Sequence, residues 1–209
     1  MKIIKLSEKT AIEQAISTLK HSGSIVYPTD TVYGLGVNPF DDFIMRRLFR
    51  IKKRPSEKAV PLIVKNIAMA KKLAYIDSSA EKILKAIWPG SVSVVLKKRD
   101  IVPNWITSGK DTISLRMPNN DFCIALIRAF NGPITSTSAN ISGEEPMTDA
   151  AKVYERFRKE TFRPDLIIDA GVLEQGQAST ILDLSQGKPR ILRVGPVSAK
   201  EIADIFKVK

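Results

Sequence analysis

Tyr27–Phe40 reads YPTDTVYGLGVNPF. The residues just before it complete the apolar run SIVY, which has the composition of a buried strand. Instead of a helix or a tight turn, that strand runs into Pro28, the hydroxyls of Thr29, Thr31 and Tyr33, one acid (Asp30) and two glycines (Gly34, Gly36). The glycines are expected to let the chain turn closely. Asp30 is expected to serve a turn or a helix cap, and the hydroxyls to face a ligand.

Outward from this stretch, strands and helices interleave. MKIIKL, VPLIV, SVSVVLK, TISLRM and PITS read as strands, and DLIIDAG, STILDLS and PRILRVG follow late in the chain. Between them, helical spacing runs through SEKTAIEQAISTLKHSG, FIMRRLFRIKKR, SSAEKILKAIW, DFCIALIRAFNG, TDAAKVYERFRK and SAKEIADIF. Asp41 or Asp42, Asn66, and Thr148 or Asp149 stand where N-caps belong. The expected fold is one α/β domain over residues 1–209, a twisted mixed sheet with flanking helices. The clustered late strands and the lack of G-x-G-x-x-G argue against a parallel dinucleotide-binding sheet, and there is no G-x-x-x-x-G-K-[ST] phosphate loop.

Composition narrows the chemistry. The 209 residues are 44% hydrophobic and 26% charged, as in ordinary globular proteins. No apolar run approaches the roughly 20 residues of a membrane span. The N-terminus lacks a signal-peptide core, so a cytoplasmic location is expected. Cys123 is the only cysteine and His21 the only histidine, which excludes internal disulfides, cysteine zinc sites and histidine triads. His21, in LKHSGS, reads as a surface or capping residue. The net charge of +11 favours polyanions such as nucleotides or RNA.

Four segments share one pattern, a strand-like run ending in hydroxyls, amides, glycine or a basic residue: YPTDTVYGLG, ISLRMPN, PITSTSANISG and ILRVGP. In α/β sheets, ligands collect where such strand ends converge. Arg46–Lys58 adds a dense basic stretch, RRLFRIKKRPSEK. Part of it is a solvated helix face. Lys52, Arg54 and Lys58 fall at or beyond the helix end, where they can reach a polyphosphate. Arg116 and Arg193 lie in apolar strands and each needs a partner, a buried carboxylate or a substrate anion. Such a residue set fits phosphoryl or nucleotidyl transfer by positioning and charge stabilisation.

YPTDTVYGLG, IKKRPSEK, WPGSVSVVL, ISLRMP, TSTSANISG, STILDL and ILRVGP, in that order over about residues 20–197, resemble the YrdC-like family of threonylcarbamoyl-AMP synthases. The resemblance implies a twisted α/β sheet with a concave basic face. It also implies synthesis of threonylcarbamoyl-AMP from L-threonine, bicarbonate and ATP, with Mg²⁺ arriving on the ATP and pyrophosphate leaving. A downstream complex would then pass the threonylcarbamoyl group to tRNA.

By the same resemblance, Lys52 and Arg54 match a K-x-R element and carry the catalytic role. Arg54, Lys58, Thr112, Ser138, Asn140 and Arg193 fall at ATP-binding positions, and Thr31, Arg116 and Ser179 at threonine-binding positions. Ser93 stands where many members carry threonine, and Ile63 or a neighbour where some carry histidine. The S-A-N triplet at Ser138–Asn140 favours the synthase over a paralogous group that lacks it. The competing reading is a non-catalytic RNA-binding protein. Aromatic content of 7%, with few aromatics among the basic residues, weighs against it. The longer hydrogenase-maturation proteins that share the fold carry cysteine-rich zinc segments, which a single cysteine does not match.

Overall fold

The structure is a computed structural model that describes residues 1–174 and 176–207. The expected mixed sheet appears as two mixed sheets. The first runs β1 (Lys2–Lys5), β9 (Leu166–Asp169), β2 (Ile25–Tyr27), β3 (Gly34–Gly36) and β8 (Thr137–Ser138). The second runs β11 (Arg190–Arg193), β10 (Thr180–Asp183), β5 (Val92–Lys97), β6 (Thr112–Arg116), β4 (Leu62–Ile63) and β7 (Ile134–Thr135). In the first, β1 and β2 are parallel to β9, while β3 is antiparallel to β2 and β8. In the second, β5 is parallel to β10 and antiparallel to β6.

In the first sheet β2 and β9 are covered on both faces, which is why they read as apolar runs. Val26 and Ile167 point into the core cluster that contains Val94 and Leu115. Ile25, Tyr27, Leu166 and Ile168 point the other way. There they meet Ala15 and Leu19 of α1 (Ala11–Lys20) and Leu126 and Ile127 of α6 (Asp121–Phe130).

The second sheet is two-sided in a different sense. Val92, Val94 and Leu96 of β5, Ile113 and Leu115 of β6, and Leu182 of β10 enter the core. The alternate residues Ser93, Val95, Ser114, Arg116 and Ile181 line a cavity. The period of two in SVSVVL and TISLR thus divides one strand between packing and a site.

The sheets are tied together at ITSTS. β7 belongs to the second sheet and β8 to the first, so the chain crosses at Ser136, whose N–H donates to the Pro61 carbonyl at 2.8 Å. Thr135 Oγ1 donates to the Leu35 carbonyl at 3.1 Å and accepts from the Val37 N–H at 2.9 Å.

Sequence reasoning misses β3 and the short α5 (Asn104–Thr107). Gly34 and Gly36 do not turn the chain; they form β3. A Cβ on Gly36 would lie 2.7 Å from the Tyr27 ring and 3.0 Å from Ile134, so these glycines admit close packing under a strand.

α2 (Asp42–Lys52) is capped by Asp41, whose carboxylate accepts from the Phe43 and Ile44 N–H groups at 3.0 and 3.3 Å. It stops at Lys53, which is left-handed at φ 47°. His21 ends α1 as expected, with Nδ1 at 2.8 Å from the Ser17 carbonyl. Among the described residues, no helix is long and apolar enough to cross a membrane.

Candidate functional site

A cavity of about 340 Å³ lies where the two sheets meet. Its floor is the polar-parity face of β5, β6 and β10. Its walls are Thr29 and Thr31–Gly34, the crossing residues Ser136–Ser138, Arg54, and Arg193 from β11. Of the residues expected from sequence, Thr31, Arg54, Arg116, Ser138, Ser179 and Arg193 line this one space.

Arg116 is held on three sides. Nε donates to the Gly90 carbonyl at 3.0 Å, Nη1 to Thr31 Oγ1 at 3.0 Å, and Nη2 to Asp30. Asp30 is therefore neither a turn former nor a helix cap. It is the buried carboxylate partner of Arg116, and its second oxygen accepts from Ser91 Oγ at 3.1 Å. Burial drives the correction, because an arginine side chain only 6% exposed needs a counter-charge.

Hydroxyl accounting fixes what Thr31 can offer. Thr29 Oγ1 spends its proton on the Val32 carbonyl at 2.7 Å. Thr29 Oγ1 also accepts from the Thr31 and Val32 N–H groups at 3.0 and 3.3 Å, so it takes the Thr31 hydroxyl proton at 2.9 Å only in part, while Thr31 Oγ1 accepts from Arg116. One lone pair remains on Thr31 to accept from a donor group of a ligand.

Arg193 is held differently. Nε and Nη2 both donate to the Ser179 carbonyl, at 3.1 and 2.6 Å, and Ser179 Oγ lies 2.9 Å from Ser93 Oγ. Burial, then the charge of Arg116, pushes its pKa below the usual arginine value. Arg54 donates to the Lys58 carbonyl at 3.2 Å and the Ala59 carbonyl at 2.8 Å, and burial pulls its pKa down too. Both arginines satisfy backbone oxygens, and among the described residues neither forms an ion pair with a carboxylate. Their charges are left for a ligand.

Lys52, the last residue of α2, is only 1% exposed. Its Nζ donates to the Ser138 carbonyl, to the Asn140 carbonyl at 2.9 Å and to Asn140 Oδ1 at 3.1 Å. Burial, with the nearby Arg54 charge, pulls its pKa down to about 7, against a smaller upward pull from Glu144. Ser138 Oγ donates to Asn140 Oδ1 at 2.6 Å, and Asn140 Nδ2 to the Glu144 carbonyl at 2.5 Å. Lys52 and Asn140 thus stand behind the wall that Ser138 presents.

Lys58 is exposed beside Arg54 without lining the cavity. Thr112 shares the parity of Ser114 and Arg116 but sits at the far end of β6, off the wall. Ile63 is fully buried in the core. Sequence reasoning overlooks Ser114 and Ser136. The alternation in TISLR was the signal for Ser114, whereas nothing local marked Ser136, which reaches the wall because the chain changes sheets there.

Comparison with known proteins gives a consistent picture. A threonylcarbamoyl-AMP synthase of Pyrococcus abyssi is 35% identical over 200 residues, covering 95% of this chain and 58% of its own length. The structure of P. abyssi Sua5 complexed with L-threonine superposes with a TM-score of 0.92 at 34% identity, over 98% of this chain and 61% of that one. Escherichia coli YciO superposes with a TM-score of 0.85 at 30% identity, over 96% of this chain and 98% of its own. This chain therefore spans about three fifths of the archaeal relative and nearly all of YciO. The Sua5/YciO/YrdC family model, described as "Telomere recombination", matches residues 17–195, and the chain belongs to that family.

Proposed function

We propose that this protein is a nucleotidyltransferase that makes threonylcarbamoyl-AMP from L-threonine, bicarbonate and ATP and releases pyrophosphate. The observation that carries the reading is the charge state of the cavity. Three arginines line it, and among the described residues only Arg116 is paired with a carboxylate. A concave cationic space lined by hydroxyls suits a nucleotide and a small amino acid better than an RNA surface. The L-threonine complex of the Sua5 relative supports the same ligand.

In this reading the threonine carboxylate lies against Arg116, and its amine or hydroxyl donates to the remaining lone pair of Thr31. Ser179 and Ser93 supply hydroxyls beside it. The amine and bicarbonate condense to a carbamate with loss of water. A carbamate oxygen then attacks the α-phosphorus of ATP as the bond to the β-phosphate breaks. Arg54 and Arg193 stabilise charge on the phosphates, Lys58 contributes from the rim, and Thr112 flanks the nucleotide. Lys52 and Asn140 act by holding Ser138 in place. In-line geometry and charge are most of what such a transfer needs.

Mg²⁺ would supply further charge neutralisation on the triphosphate. Among the described residues, no three His, Cys, Asp or Glu side chains are grouped to hold a metal. In this reading the metal is carried by phosphate oxygens and water. The product would pass to a threonylcarbamoyl-transfer complex acting on tRNA in the cytoplasm.

The test is threonine-dependent pyrophosphate release from ATP in bicarbonate buffer. Folded protein that releases none, yet binds structured RNA in a salt-sensitive way, would establish the RNA-binding alternative instead.

A further inference from the structure

We infer that Asp30 is a positioning residue that makes the cavity selective for a carboxylate-bearing ligand, acting through Arg116. The inference deepens the threonine reading above and rests on it. A guanidinium has five N–H donors. Three are committed: Nε to Gly90, one Nη1 proton to Thr31 and one Nη2 proton to Asp30. The two left are one on each terminal nitrogen. Two such donors on neighbouring nitrogens can meet both oxygens of a carboxylate.

Asp30 sets which edge is presented. Without Asp30 the guanidinium loses its carboxylate partner and can swing off the Gly90 and Thr31 acceptors, so its free donors are no longer held toward one place. Asp30 is itself braced by Ser91 Oγ. It does not line the main cavity. It lines a second one of about 380 Å³, together with Ser91, Gly90 and Asn119. The pair therefore stands between two cavities, with Arg116 facing the main one and Asp30 backing it. Because the acid sits behind the arginine, it neutralises the buried charge without occupying the carboxylate's place.

The test compares Asp30→Ala, Asp30→Asn and wild type in two assays, pyrophosphate release and calorimetric binding of L-threonine and L-threoninamide, which lacks the carboxylate. Wild type should prefer L-threonine strongly. Asp30→Ala should raise the KM for L-threonine at least tenfold, leave the KM for ATP within twofold, and bind both compounds about equally weakly. Asp30→Asn keeps an acceptor for Nη2 and should fall between. A merely structural aspartate would lower the folded fraction and kcat while leaving KM and the preference intact, and that result would overturn the inference. Equal rises in the KM for ATP and for threonine would overturn it too. If wild type itself neither binds threonine nor releases pyrophosphate, it is the proposed function that fails.

Discussion

Lys52 Nζ lies 2.9 Å from the Asn140 carbonyl and 3.1 Å from Asn140 Oδ1, so the last residue of α2 clasps the turn that follows β8. The clasp is reciprocal, because the Ser142 N–H donates to the Lys52 carbonyl at 2.8 Å. The K-x-R and S-x-N elements are thus one structural unit. Replacing Lys52 removes a donor shared by three buried oxygens, of which Asn140 Oδ1 keeps its bond from Ser138 Oγ and the Ser138 carbonyl its contact from the Asn140 N–H. Lys52→Ala should cost about 3 kcal/mol, since breaking buried charged hydrogen bonds is expensive. That corresponds to a fall in Tm of roughly 6–12 °C for a chain of this size. Thermal unfolding checks it, and a Tm within about 2 °C of wild type would refute the clasp.

The same lysine predicts a pH dependence. Its pKa in the folded chain is about 7, lowered chiefly by burial, against about 10.4 for an unfolded lysine. Between those values the unfolded chain holds a proton that the folded chain does not. The contribution of this site to stability therefore rises with pH above about 7 and is lost as pH falls through 7. Urea unfolding of wild type and Lys52→Met at pH 6.5 and 8.5 isolates it. Wild type should gain on the variant at the higher pH, and a constant difference would show that Lys52 does not titrate in this range.

What the sequence disclosed and what it hid follow from the range of each interaction. Caps at Asp41, Asn66 and Asp149 and the alternation of SVSVVL and TISLR are local, and each appears in the structure. The Asp30–Arg116 pair spans 86 positions and the Lys52–Asn140 clasp 88, so no local pattern announces either. Gly34–Gly36 misled for a related reason. Glycine marks both turns and strands pressed against a ring, and only the position of Tyr27 tells them apart.

Arg54 should act on the nucleotide. Its guanidinium lines the cavity while its donors hold the Lys58 and Ala59 carbonyls. Arg54→Ala should raise the KM for ATP by roughly 10- to 100-fold, the range expected for losing one charge-assisted contact of about 1.5–3 kcal/mol. Arg54→Lys should recover only part of this, because a lysine has no planar fork. ATP should also raise the Tm of wild type through ligand linkage and do so far less for the variants. An unchanged ATP dependence would place the nucleotide elsewhere.

Gly195 offers a purely geometric test of the corner that aims Arg193. A Cβ there would lie 2.2 Å from the Ala178 carbonyl oxygen and 2.5 Å from the Thr180 nitrogen, both backbone atoms that cannot swing aside. The Gly195 N–H also donates to Thr180 Oγ1 at 2.9 Å, which fixes the return of β11 onto β10. Gly195→Ala must push that return away from residues 178–180, and with it the Ser179 carbonyl that holds Arg193. Overpacking of this kind costs about 1–3 kcal/mol or more. Gly176→Ala, where a Cβ meets nothing within 4 Å, is the matched control. The control should unfold like wild type, whereas Gly195→Ala should lose both stability and threonine-dependent turnover. If the two variants behave alike, the close approach does not set the geometry of Arg193.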